Sequence, residues 1–188
     1  MTKLLHFRTL EPDDFAQVQS IGSASIPIHY PADYWQYMCD PKSIYYSLGA
    51  FDHQNNLIGV CAVIADMKEV IATRHSELEE RLLIDQFEKV SYVSTCFVRS
   101  DCRGLGIGYQ LIQRQKDAMI DRGSQMLYLH VLCTNTSAIK LYEKCSFTQR
   151  CRFKDYYSSV TTRPGERQDA YLYFIELKRN GGIFYCCM

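Results

Sequence analysis

Runs of apolar and β-branched residues bounded by polar turns recur along the chain. They predict strands at Leu4–Leu10, Tyr45–Phe51, Leu57–Ala65, Tyr92–Val98, Met126–Leu132, Phe147–Ser159 and Ala170–Leu177. Helical spacing is clearest after Val98. There Ile107, Leu111, Ile112, Ala118 and Met119 fall on one face, which predicts a helix over about Gly106–Arg122 with a stop at Gly123. Shorter helices are expected through about Gln19–Ile26, opened by the turn Glu11-Pro12-Asp13-Asp14, at Tyr34–Met38 and over about Thr136–Cys145. His53-Gln54-Asn55-Asn56 reads as a hairpin turn, Ile26-Pro27-Ile28-His29-Tyr30-Pro31 as a rigid loop, and residues 67–89 as a charged excursion with one short helix. The last two strands are joined by the polar loop Thr161–Asp169. A helix between the strands ending at Val98 and starting at Met126 is a crossover, so those strands are expected to be parallel in a mixed α/β sheet.

Composition narrows the classes. The 188 residues suit one domain, and 21 basic residues balance 21 acidic ones, which excludes the electrostatic footprint of a nucleic-acid binder. The nine cysteines form an odd set with no C-x-x-C spacing, which argues against a disulfide framework or a zinc site and for a reducing compartment. Met1–His6 leads straight into a strand pattern, so no signal peptide is expected, and no apolar run approaches the ~20 residues of a spanning helix.

Candidate chemistry centres on Arg103-Gly104-Leu105-Gly106-Ile107-Gly108. A basic glycine-rich turn between a strand and a helix lets backbone N–H groups approach a phosphate, with the positive helix end behind them. The dinucleotide fingerprint fails here, because Tyr109 stands where its third glycine belongs. Strand alternation places Tyr92, Ser94, Cys96 and Val98 on one face, and Tyr128, His130 and Leu132 on one face of the next strand. A histidine titrating near neutrality suits removal of a proton from an amine, whereas Tyr92 is a poor base and is better cast as an orienter or proton donor. The alternative for a lone strand histidine is a satisfied core residue. Asn135 and Tyr142, about two helical turns apart, read either as contacts to a bound group or as a helix cap and a core ring. Cys96 and Cys133 show no activating arrangement and read as small apolar residues.

The loop R-x-x-G-x-G resembles the coenzyme A pyrophosphate loop of the GCN5-related N-acetyltransferases. Tyr128-Leu129-His130-Val131-Leu132-x-Thr134-Asn135-x-x-Ala138-Ile139-x-x-Tyr142-Glu143, Ile26-Pro27-Ile28-x-Tyr30-Pro31 and Tyr156-Tyr157-Ser158 are together similar to the N-alpha-acetyltransferases of the NatE and NatF kinds. The NatF kind, Golgi-associated and also described as a histone acetyltransferase, is the nearer, sharing the charged excursion and Asn180-Gly181-Gly182.

The resemblance implies a GNAT fold over residues 1–182, with one mixed sheet of about seven strands, and a short apolar tail at 183–188. It implies acetyl-CoA as co-substrate and protein N-termini as acceptors, Met followed by an apolar or Lys-type residue, with histone lysine acetylation beside it. Lysine or small-amine acetylation, or an inactive acyl-CoA-binding adaptor, are the rival readings. By position Tyr92 and His130 match the catalytic pair. Cys96, Phe97 and Val98 match the strand that pairs with the pantetheine arm and polarises the thioester carbonyl. Arg103, Gly104, Leu105, Gly106, Ile107, Gly108 and Tyr109 match the pyrophosphate loop, and Asn135, Tyr142, Glu143, Lys144 and Cys145 the remaining coenzyme contacts. Tyr30, Ser94 and Tyr157 match positions that hold the substrate N-terminus, with Pro27, Ile28, His29 and Tyr156 around the pocket for its first side chain.

The resemblance further implies a monomer or weak dimer in the cytoplasm, with peripheral contact to the cytosolic face of the Golgi membrane. Two departures bear on specificity: His29 stands where the NatF kind has Glu, and Ile26 where it has Phe. Cys186-Cys187 beside apolar residues is a candidate lipidation site or an ordinary chain end.

Overall fold

Seven strands form one sheet in the order β1-β2-β3-β4-β5-β7-β6. They are β1 (His6–Thr9), β2 (Tyr45–Phe51), β3 (Leu57–Ile64), β4 (Val90–Val98), β5 (Met126–Leu132), β6 (Thr148–Phe153) and β7 (Ala170–Glu176). The structure, a computed structural model, describes residues 5–26, 30–71, 78–158 and 168–178. The expected strands are all present. Among the described residues the one parallel pair is β4 with β5, as the crossover helix requires, and the other neighbours are antiparallel.

Helices cover both faces. On one, α5 (Ile107–Asp121) lays Leu111, Ile112 and Met119 over Cys61, Val63, Leu127 and Leu129. Its buried Gln115 donates to the carbonyls of Tyr46 at 3.0 Å and Cys61 at 2.6 Å, tying the helix to β2 and β3. On the other, α1 (Phe15–Ser25) and α2 (Ala32–Cys39) pack Val18, Trp35 and Met38 against Val60, Ala62 and Phe97. The charged excursion holds two short helices rather than one, α3 (Met67–Ile71) and α4 (Leu78–Ile84), and Leu83 and Ile84 of α4 cover Val90, Met126 and Tyr128. α6 (Thr136–Lys144) follows β5, capped by the Asn135 side chain, which accepts from the Ala138 N–H at 3.2 Å.

Two expectations need correction. The sixth strand ends at Phe153, not Ser159, because Asp155 adopts a left-handed φ of 53° and its N–H is held by the Asp169 carboxylate at 2.9 Å. Arg152 pairs with the same carboxylate, so Tyr156 and Tyr157 project from a clamped turn rather than a strand. In β4 the register to β3 steps from Thr95–Ala62 to Val93–Val63 and leaves Ser94 as a bulge. The bulge reverses the alternation: Cys96 and Val98 face α5, whereas the Ser94 hydroxyl lies 3.0 Å from the Tyr34 hydroxyl of α2 on the opposite face. Tyr92, Ser94, Cys96 and Val98 therefore do not share a face.

The wall formed by α1 and α2 depends on Gly22, where an added Cβ would lie 2.4 Å from the Trp35 ring. Gly22→Ala is expected to destabilise the fold by about 1–3 kcal/mol through overpacking, read as a lower urea midpoint at unchanged m-value.

Candidate active site

The parallel ladder between β4 and β5 covers only Val90–Met126, Ser91–Leu127 and Tyr92–Tyr128. Beyond it β4 stays with β3 and β5 stays with β7, so the two central strands part into a fork. The hydrogen-bonding phase shows which groups the fork leaves open. Arg99 N–H donates to the Ile58 carbonyl at 2.7 Å, making Gly59–Val98 a non-hydrogen-bonded pair. By alternation Val60–Phe97 is a bonded pair and Cys61–Cys96 is not, so the Cys96 and Val98 peptide groups face the fork while Phe97 bonds β3. On β5, Cys133 N–H donates to the Asp169 carbonyl at 2.9 Å, and the same reasoning turns His130 and Leu132 toward the fork. Other groups satisfy three of the released carbonyls. Tyr157 Oη donates to His130 at 3.1 Å, Asn135 N–H to Leu132 at 2.8 Å and Arg103 Nε to Val98 at 3.1 Å.

A cleft of about 390 Å³ runs from the glycine turn into the fork, within the usual range for a small-molecule site. Gly104 and Gly106 both have φ of +77°, a conformation that L side chains resist, and nothing lies within 4 Å of where a Cβ would stand. Gly106 immediately precedes α5, so the N–H groups of Ile107, Gly108 and Tyr109 have no partner within the helix. Arg103 and Lys144 add positive charge to the lining. Together these form an anion cradle. Not every expected coenzyme residue lines it. Leu105 is 67% exposed and is not part of the lining. Cys145 is fully buried in the core, and Glu143 accepts from Tyr173 Oη at 3.2 Å; neither lines the cleft, because α6 turns Ser137, Ala138, Leu141 and Lys144 toward it.

The cleft continues into a smaller cavity of about 120 Å³, and Cys96, Asn135 and Ala138 line both. Tyr30, Ser94, His130, Tyr142 and Tyr157 line the inner cavity, so the fork gathers residues from five separate parts of the fold. His130 Nδ1 lies 3.3 Å from Tyr92 Oη and 3.1 Å from Tyr156 Oη. The Tyr156 ring is stacked on the imidazole, 4.3 Å away and tilted by 17°, which puts its hydroxyl above the ring plane. The Tyr92 ring is tilted by 54° to the imidazole, so the two hydroxyls reach Nδ1 from differently oriented rings. Tyr156 thus backs His130 and does not line the inner cavity. Pro27, Ile28 and His29 lie outside the described residues.

Burial sets the proton affinities. His130, without a partner on Nε2, is pushed from 6.5 down to about 3 by burial. Burial likewise pushes Tyr92 and Tyr142 well above the usual 10. The imidazole is therefore neutral at physiological pH and a weak base, contrary to the expectation of a histidine titrating near 7.

This fork, with its glycine turn and mixed sheet, defines an acetyl-CoA-type acyltransferase fold, and residues 8–147 match the acetyltransferase (GNAT) family, to which the chain belongs. It is 30% identical over 181 residues to N-alpha-acetyltransferase 60 of Xenopus tropicalis, covering 93% of this chain and 70% of the relative. It is 27% identical over 160 residues to histone acetyltransferase MCC1 of Arabidopsis thaliana, covering 78% of this chain and 60% of that protein. Among solved structures, Arabidopsis thaliana NAA60 in complex with a bisubstrate analogue is similar at TM-score 0.74 and 25% identity, covering 92% of this chain and 98% of that one.

Sequence reading missed Tyr34 and Gln168. Tyr34 stacks on Tyr30 at 4.0 Å and bonds the bulged Ser94, and Gln168 lines the inner cavity. The i, i+4 spacing of Tyr30 and Tyr34 was the available signal for the first; nothing marked the second.

The depressed His130 pKa has a stability consequence. Above 6.5 the group is neutral folded and unfolded; below it only the unfolded chain takes the proton, until about 3. Its contribution to folding should therefore fall by about 1.4 kcal/mol per pH unit through that window. Denaturant midpoints measured between these limits should drop less steeply for His130→Gln than for the parent chain.

Proposed function

We propose that this chain transfers acetyl from acetyl-CoA directly to the free α-amine of protein N-termini, without an acyl-enzyme. The observation that carries the reading is the fork. It joins an anion cradle for the coenzyme pyrophosphate to an inner cavity lined by neutral His130 and protonated Tyr142, with Tyr92 Oη 3.3 Å from His130 Nδ1. The names of the relatives support the same acceptor, since N-alpha-acetyltransferase 60 is the relative at 30% identity.

In this mechanism the pantetheine arm lies along the Cys96–Val98 edge of β4. Its thioester carbonyl takes a hydrogen bond from the Cys96 or Val98 N–H, the two that face the fork; Phe97 N–H is committed to β3. The amine must arrive as free base, because neither Tyr92 nor His130 can draw a proton from an ammonium ion near neutrality. That favours an α-amine: its pKa of ~7.7–8.0 leaves roughly 300 times more free base than lysine's ~10.4. Nitrogen attacks the thioester carbon and the carbon–sulfur bond breaks. The nitrogen, now strongly acidic, passes its proton through water toward the Tyr92–His130 pair. Coenzyme A leaves as a thiolate steadied by a hydrogen bond from Tyr142 Oη, which keeps its own proton because burial raises its pKa. The proton shed by nitrogen is relayed through water and the Tyr92–His130 pair to the sulfur. Tyr30, Ser94 and Tyr157 hold the peptide end, and Met followed by an apolar or Lys-type residue is the preferred terminus. A cytoplasmic site of action, including the cytosolic Golgi face, is part of this reading; no helix among the described residues is long and apolar enough to cross a membrane. The likeness to histone acetyltransferase MCC1 favours lysine as a second acceptor.

The test is acetyl-CoA turnover on peptides differing in residues one and two, each also offered with its α-amine blocked. Turnover on free Met-initiated termini that vanishes on blocking is expected; activity surviving the block would move the acceptor to lysine. The kcat/KM profile should rise through the α-amine pKa near ~8 rather than near ~6.5. Tyr92→Phe and His130→Ala should each lower kcat by about 10²-fold while coenzyme binding persists.

A further inference from the structure

α4 buries one carboxylate beside its apolar Leu83 and Ile84. Its leucines Leu78 and Leu82 are 69% and 51% exposed, whereas Glu80 between them is buried at 6%. Carrying a carboxylate into an apolar face is costly unless it is hydrogen-bonded, so what Glu80 reaches explains the orientation. It reaches Tyr128, whose hydroxyl donates to Glu80 Oε1 at 3.0 Å. Tyr128 is fully buried on the last rung of the parallel ladder, opposite Tyr92. Its ring centroid lies 4.9 Å from that of Tyr92 and 6.1 Å from that of His130, edge-on to the imidazole.

We propose that Glu80 is a positioning residue for acetyl transfer: by fixing the Tyr128 phenol, it holds the ring against which Tyr92 and His130 are set. The inference rests on the reading of Tyr92 and His130 as the proton-handling pair. Glu80 acts through the buried Tyr128 ring, and the contact it protects is the 3.3 Å approach of Tyr92 Oη to His130 Nδ1. Released from the carboxylate, Tyr128 stays buried but loses its fixed tilt, and Tyr92 loses the surface that aims it. Displacements of about 1 Å at such sites cost up to about 10²-fold in rate. The excursion that carries α4 is thereby tied to the chemistry rather than only to the coenzyme or the fold.

The experiment measures steady-state kinetics and acetyl-CoA affinity for Glu80→Leu, Glu80→Gln, Tyr128→Phe and the double variant Glu80→Leu with Tyr128→Phe, beside Tyr92→Phe. Glu80→Leu and Tyr128→Phe should each lose about tenfold in kcat with coenzyme affinity within about twofold of the parent. Glu80→Gln, which still accepts from the phenol, should restore most of kcat. The double variant should lose no more than either single change, the signature of one shared interaction. Unchanged kcat in Glu80→Leu while Tyr92→Phe is impaired would overturn the positioning role. So would additive losses, or a loss that Glu80→Gln does not rescue. If Tyr92→Phe retains full kcat, the reading beneath the proposal fails instead. Should Glu80→Leu prove unfolded, the isosteric pair Glu80→Gln and Tyr128→Phe carries the same contrast.

Discussion

Past Tyr92 and Tyr128 no strand pairing joins β4 to β5, and the peptide groups released there must find other partners. That constraint organises the site. Released carbonyls recruit Tyr157, Asn135 and Arg103, which brings the turn after β6, the cap of α6 and the glycine turn to one place. The Cys96 and Val98 edge stays available to a ligand with amide groups of its own. An extended acyl-carrying arm can therefore bind as a surrogate strand, and the site needs no dedicated pocket for that part of the coenzyme.

The Ser94 bulge completes the arrangement. Without it Tyr92 and Cys96 would project from the same face, and the coenzyme edge would coincide with the aromatic block. With it, Tyr92 stays with Tyr128, His130 and Tyr156, and Cys96 turns toward α5. The aromatic block buries His130 enough to hold it neutral, so in the proposed mechanism the amine arrives already uncharged. Selection of the acceptor then rests partly on its own acidity and partly on the residues around it.

Much of this could be read from the sequence because it depends on local rules. Apolar runs gave the strands, the five-residue apolar face gave α5, and the crossover gave the parallel pair. The glycine turn was legible because positive φ selects for glycine. What stayed hidden is non-local. A bulge at Ser94 has no composition signal, since serine is at home in a strand or a turn. The end of β6 at Phe153 depends on Asp169, fourteen residues beyond Asp155 in sequence. The pKa of His130 depends on rings from β4 and from the turn after β6, so a single-residue reference value misled. Glu80 was indistinguishable from its exposed neighbour Glu79 until the fold placed Tyr128 beneath it.

Amide hydrogen exchange with and without acetyl-CoA tests the fork most directly. The open-edge account predicts slower exchange at Cys96 and Val98 and at Ile107, Gly108 and Tyr109 on binding. Phe97, already bonded to β3, should be unchanged. Protection confined to residues away from the fork, or equal at Cys96, Phe97 and Val98, would contradict the claim that the parting of β4 and β5 creates the binding edge.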